Sequence, residues 1–159
     1  DKYGMGNDNV VVVAPDLGSV GRARKFTERL DLPLAIIDKR RQRANVSEVM
    51  NIIGDVRGKQ VILVDDMIDT AGTLCNAAAA LMDIGGAKNV VACATHAILS
   101  GPAIERLENS AISEVYLLDT VPLPASKKID KIKILPVSNM FTEAIRRIYE
   151  EVSVSEIFS

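Results

Sequence analysis

The sequence lacks an excess of charge of either sign. Lys and Arg number 19 against 21 Asp and Glu, a net charge of -2 over 159 residues. That balance gives no electrostatic reason to expect nucleic acid or an anionic membrane as a partner, so any anion site must be local. Cysteine is scarce too: Cys75 and Cys93 lie 18 positions apart with no second Cys or His at ligand spacing, which indicates neither a zinc site nor a disulfide framework. A reducing cytoplasm fits such a chain. No apolar run approaches the ~20 residues that a membrane helix needs, and the chain does not open on a basic segment followed by an apolar one, so it reads as soluble. The Walker pattern GxxxxGK[ST] is missing, which excludes an ordinary P-loop.

The length suits one domain with a sizeable core, residues 1–9 being read as a linker or the start of a truncated piece. Short aliphatic runs alternate with helical stretches. Val10 to Val13 predicts a buried strand, and Val20 to Leu30, with charges scattered around apolar positions, an exposed helix. Leu34 to Ile37 predicts a strand ending in a basic run from Asp38 to Arg43, while Ser47 to Ile53 fits either a short strand or a helical turn. Val61 to Val64 is a strand, and Thr73 to Ile84 an Ala- and Leu-rich helix stopped by Gly85-Gly86. Val90 to Ala94, Val115 to Leu118 and Ile132 to Leu135 are further strands. Gly101-Pro102 opens a helix to about Glu108, and Met140 to Glu151 forms the last one. This alternation predicts an α/β fold with a doubly wound, mostly parallel sheet. In such sheets ligands bind outside the carboxyl ends of the strands. The unusual residues fall there: Pro15 to Ser19, Asp38 to Arg43 and Asp65 to Thr73.

Residues 61–73, VILVDDMIDTAGT, pose the sharpest chemical question. Thr70-Ala71-Gly72-Thr73 opening a helix offers free backbone N–H groups, two hydroxyls and the positive end of the helix dipole, which suit a phosphate monoester. Asp65 and Asp66 would repel that phosphate, but they suit vicinal sugar hydroxyls or a hydrated magnesium ion. One loop with both properties matches a sugar phosphate. The plainer alternative makes Asp69 or Thr70 an ordinary helix cap.

DDMIDTAGT resembles the ribose-phosphate signature of the type I phosphoribosyltransferase fold. More narrowly, IIDKRR, EVMNIIGDV, LSGPAIER and the tail SVSEIFS resemble the second half of the ribose-phosphate diphosphokinase family. The resemblance runs from about Val10 to Ser159 and implies that the first half of the polypeptide lies outside this chain. It implies that Asp65 and Asp66 bind ribose hydroxyls and that Asp69, Thr70, Ala71, Gly72 and Thr73 cradle the 5-phosphate. By the same resemblance Lys39 and Arg41 are catalytic, Arg41 also touching substrate. Asp16, Leu17, Gly18 and Ser19 would receive the pyrophosphate, with Asp16 a ligand of Mg2+. The chain departs from the family it resembles at two places: that family usually has two glycines where this chain has Gly18 followed by Ser19, and commonly proline where it has Ala97.

The implied reaction is magnesium-dependent transfer of diphosphate from ATP, held mainly by the other half, to ribose 5-phosphate, in a homo-oligomer of dimers assembling to a hexamer. The alternatives are a phosphoribosyltransferase, which would need a hood for a base, and a regulatory subunit or sugar-phosphate sensor. The plainer readings make Lys39 to Arg43 a solvated basic face and Asp16 a turn acid after Pro15. His96 reads as a hydrogen-bonded structural residue near the crevice. Cys75 lies where a helix start could lower its pKa, the plainer reading being a small packed residue.

Overall fold

The computed structural model describes residues 9–40 and 49–158. Val10–Ala14 (β1) is an unbroken apolar run buried along its whole length, as an interior parallel strand requires. A 3-10 turn at Leu17–Ser19 leads into α1 (Val20–Leu30), followed by β2 (Leu34–Arg40), β3 (Val49–Ile53) and β4 (Gln60–Ile68). Next come α2 (Gly72–Asp83), β5 (Asn89–Ala97), α3 (Ala103–Glu108), β6 (Ile112–Leu118), β7 (Ile132–Leu135) and α4 (Ser138–Tyr149). The seven strands form one sheet in the order β3-β2-β1-β4-β5-β6-β7. Every neighbouring pair is parallel except β2 with β3.

Two apolar clusters cover the two faces of this sheet. On one, Leu74, Ala77 and Leu81 of α2 and Ala103 and Leu107 of α3 pack on Val11, Val13, Leu63 and Ala92. On the other, Ala23 of α1, with Val20 and Phe26, packs on Val10, Val12, Ile62 and Val64. Full burial of each such large aliphatic contributes about 1.5–3 kcal/mol. The chain therefore leaves β1 toward one face and its neighbour β4 toward the other. The point where the winding reverses is the crevice between their carboxyl ends.

The doubly wound α/β sheet expected from the alternation is the fold, and α1 spans the expected residues. Ser47 to Ile53 resolves as an antiparallel edge strand over its described part, with Lys39 opposite Met50. The main correction concerns β4, which the aliphatic run placed at Val61 to Val64. The strand continues through Ile68 because β5 stays paired with it, Asp65 facing Ala94, Met67 facing His96 and Ile68 facing Ala97. Ladder bonds between interior strands override the poor β-propensity of aspartate. The inside-outside alternation slips at this level. Leu63 and Ile68, an odd five positions apart, join the same cluster, as do Ala94 and Ala97. Asp65 and Asp66 are thus strand residues at the rim of the crevice.

Candidate functional site

Between β4 and α2 the backbone turns at Ala71, which has φ 60° and ψ 2° and is buried. A residue with a Cβ occupies this left-handed region at a cost of roughly 1–2 kcal/mol. Ala71 is the N-cap of α2, and no side chain caps that helix. The reading of Asp69 or Thr70 as a cap is therefore corrected. Asp69 instead accepts a hydrogen bond from the hydroxyl of Ser100, because the segment after β5 packs alongside. The N–H groups of residues 70–74 have no hydrogen-bond partner among the described residues. These free donors add to the positive end of the α2 dipole, an arrangement that receives anions.

The adjacent acids are tied to α1. Arg22 donates through Nη1 to Asp65 Oδ1 at 3.2 Å and through Nη2 to Asp66 Oδ2 at 2.8 Å. Asp65 Oδ1 also accepts from the N–H of Asp66, and Asp66 Oδ1 from the N–H of Met67, each at 2.9 Å. Burial pushes the Asp65 carboxyl above the ordinary range, and the negative charges of Asp66 and Asp16 add to that, against the hydrogen bond from the Asp66 N–H. For Asp66 desolvation acts upward as well, but the Arg22 guanidinium, then hydrogen bonds including that from the Met67 N–H, outweigh it and hold this carboxyl low. The pKa values of these two neighbouring acids are thus shifted in opposite directions, that of Asp65 up and that of Asp66 down.

After β1 the loop is organised by Asp16 and Ser19. Asp16 Oδ1 accepts from the Ser19 N–H at 2.9 Å and the Ser19 hydroxyl at 3.0 Å, and the Asp16 N–H reaches the Ser19 hydroxyl at 3.3 Å, forming a capping box. Ser19 is 2% exposed, with its hydroxyl turned inward onto Asp16. Ser19 is therefore a structural anchor of the loop. Asp16 Oδ2 has no partner among the described residues.

A cavity of ≈ 170 Å³ is lined by Asp16, Asp65, Asp69, Thr70, Gly72 and Thr73, among others. The loops after β1 and β4 therefore meet in one crevice, as the winding of the sheet requires. Leu17, Gly18, Ser19 and Asp66 stand beside it without lining it. Lys39 is half-buried at the end of β2, one strand beyond β1, and does not line the cavity either. Arg41 lies outside the described residues.

His96 Nδ1 is 2.9 Å from the Thr120 hydroxyl, and that hydroxyl donates to the Thr95 carbonyl, as a structural histidine should be held. Burial pushes the Cys75 thiol up rather than down, which agrees with the plainer reading of a small packed residue, and pushes Cys93 to about 11. No group of three or more His, Cys, Asp or Glu side chains gathers to hold a metal among the described residues. No helix among them is long and apolar enough to cross a membrane.

Three residues of the site escaped the sequence reading. Arg22 was counted among the scattered charges of an exposed helix, although it follows the Asp16–Ser19 loop by less than one turn. Ser100 and Arg106 belong to LSGPAIER, whose place beside the loop depends on pairing between β4 and β5. Arg106 Nη1 donates to the Thr70 carbonyl at 2.9 Å.

Comparison with known proteins agrees with this geometry. A family model described as a phosphoribosyl synthetase-associated domain matches residues 41–159. A ribose-phosphate pyrophosphokinase of Clostridium acetobutylicum is 64% identical over 151 residues, covering 95% of this chain and 47% of the relative. One from Caldanaerobacter subterraneus subsp. tengcongensis is 66% identical over 152 residues, covering 96% and 48%. The crystal structure of phosphoribosylpyrophosphate synthetase from Mycobacterium smegmatis superposes with a TM-score of 0.81 at 38% identity, covering 91% of this chain and 46% of that one. Orotate phosphoribosyltransferase from Aeropyrum pernix, with a TM-score of 0.56 at 17% identity, shares the fold alone. The chain spans about half the length of the curated relatives it matches. On sequence over nearly its whole length, and on fold, the chain belongs to the ribose-phosphate pyrophosphokinase family.

Proposed function

We propose that this chain is the sugar-phosphate half of an enzyme that transfers the β,γ-diphosphate of ATP to ribose 5-phosphate, giving phosphoribosyl pyrophosphate and AMP. The observation that carries this reading is the crevice between β1 and β4. It brings the carboxylates of Asp16 and Asp65 together with the unpartnered N–H groups of the α2 start, the two chemistries of a sugar phosphate. Asp65 and Asp66 bind the ribose hydroxyls as acceptors, and Asp69 to Thr73 cradle the 5-phosphate. The anomeric hydroxyl oxygen then forms a bond to the β-phosphorus of ATP as the bond to the α,β-bridging oxygen breaks. AMP departs and the hydroxyl proton passes to solvent.

The loop from Asp16 to Ser19 receives the diphosphate at the neighbouring strand end. Lys39 and Arg41 neutralise the charge that develops on it, since this kind of transfer is mostly positioning plus electrostatics. Asp16, with one carboxylate oxygen unengaged and Asp65 nearby, fits Mg2+, which keeps several waters and takes one or two carboxylates beside substrate phosphates. Bound magnesium supplies charge neutralisation to the diphosphate. ATP contacts rest mainly with the remainder of the longer protein, in the cytoplasm. The reading includes homo-oligomeric assembly through dimers to a hexamer; the exposed apolar residues of α4, among them Phe141, Ile145, Ile148 and Tyr149, support an interaction surface on that helix.

Calorimetric titration of the chain with ribose 5-phosphate, with and without magnesium, tests the reading. Asp66→Asn should weaken binding about tenfold, the loss expected for a charge-assisted hydrogen bond. A folded chain that binds no sugar phosphate, or binds it equally after Asp66→Asn, counts against it. In the full-length enzyme Lys39→Ala should lower the rate with ribose-phosphate binding retained. A sensor would be indifferent to that change.

A further inference from the structure

Three consecutive carbonyls of the loop before α2 are anchored on one side. The Leu99 N–H donates to the Ile68 carbonyl at 2.9 Å, the Ser100 N–H to that of Asp69 at 3.0 Å, and Arg106 Nη1 to that of Thr70 at 2.9 Å. In a planar trans peptide the carbonyl and the following N–H point in opposite directions. Fixing these carbonyls on the segment from Leu99 to Arg106 therefore turns the N–H groups of Asp69, Thr70 and Ala71 away from it. The helix then starts with its own free N–H groups at Gly72, Thr73 and Leu74. Both sides of the contact turn through a non-glycine residue in the left-handed region, Ala71 at φ 60° and Leu99 at φ 50°. Leu99 is 1% exposed, so its side chain anchors that turn in the core.

Of the three donors, two are backbone groups whose places follow from the chain path. Arg106 is the one side chain, and it comes from a different helix, 36 positions along the sequence. Its guanidinium also stands against the first residue of α2: a Cβ on Gly72 would lie 3.2 Å from Arg106 Nη1. No other hydrogen-bond acceptor engages this guanidinium among the described residues. Without it the Thr70 peptide has nothing on its carbonyl side. A rotation of that peptide would swing a carbonyl oxygen toward the place where an anion sits.

We propose that Arg106 is a positioning residue for the phosphate end of the site, holding the Thr70 peptide so that the N–H groups of the loop face the ligand. The inference rests on reading residues 69–73 as a phosphate cradle. Arg106→Met keeps the length of the aliphatic stem and removes the donor, while Arg106→Lys restores a charged donor. The affinities of the chain and both variants for ribose 5-phosphate and for inorganic phosphate are measured by calorimetry, alongside thermal melting. Arg106→Met should lose about tenfold for both probes, with a melting temperature near that of the wild type, and Arg106→Lys should regain part of the loss. Wild-type affinity in a folded Arg106→Met chain overturns the inference alone. Equal losses in Met and Lys variants, with melting lowered in both, assign Arg106 a purely structural role and also overturn it. Failure of the unmodified chain to bind either probe overturns the cradle reading, and the inference with it.

Discussion

Arg22 divides its guanidinium between two carboxylates whose surroundings differ, the Asp65 side chain being 22% exposed and that of Asp66 48%. Desolvation dominates at the first, and the arginine charge tips the balance at the second. The signs of their pH effects are therefore opposite. The lowered carboxyl of Asp66 contributes stability above the ordinary aspartate range, lost as pH falls through its folded value. The raised carboxyl of Asp65 holds its proton longer in the folded chain, which favours folding at low pH and loses that advantage as pH rises through its folded value. Arg22→Met should raise the titration midpoints of both, and that of Asp66 more clearly because its lowering depends on this cation. Carboxyl carbon resonances followed across pH 2 to 7 by NMR check this, roughly the range over which perturbed aspartates titrate. An unmoved Asp66 would show that backbone hydrogen bonds alone hold it low.

Among the elements, α2 illustrates how tightly the loop is tied to the core. Its far end closes at Gly85, where an added Cβ would lie 2.6 Å from Val56 Cγ2 and 2.7 Å from the Leu81 carbonyl oxygen. Gly85→Ala should therefore cost about 1–3 kcal/mol, as overpacking does. Urea unfolding should show it as an earlier midpoint with an unchanged slope; an unchanged midpoint would mean that Val56 moves aside freely. The alternation of aliphatic runs and Ala-rich stretches was enough to read the sheet, its winding and most helices, because each element's local preference agrees with its burial. It failed where neighbours decide. Aspartates do not announce a strand, yet β4 runs through Asp65 and Asp66 because β5 pairs with Asp65 and, beyond Asp66, with Met67 and Ile68. The acids and small residues of the site were legible in VILVDDMIDTAGT, since their chemistry is local. Arg22, Ser100 and Arg106 were not, because their partners lie 31 to 44 positions away and only the folded topology brings them together.

The whole molecule places its chemistry where its winding reverses. β1 and β4 lie side by side in the middle of the sheet and send their chains to opposite faces, so two loops from distant parts of the sequence open onto one cavity. Beyond α1 the same face carries a second, apolar cleft of ≈ 320 Å³, lined by Phe26, Val64, Cys93, Tyr116, Leu118 and Leu135 among others. Apolar side chains are also exposed on α4, among them Phe141, Ile145 and Ile148. The crevice between β1 and β4 is lined, within this chain, by the carboxylates of Asp16, Asp65 and Asp69 and by the start of α2 with its free N–H groups. Titration of the isotope-labelled chain with ribose 5-phosphate, followed by NMR at the backbone amides of Thr70 to Leu74, tests the account at its centre. Saturable shifts at Gly72 and Thr73, with a midpoint that moves to higher ligand concentration in Asp66→Asn, are the expected result. Amides that stay unmoved in a folded chain, or that shift identically with and without the Asp66 carboxylate, would contradict it.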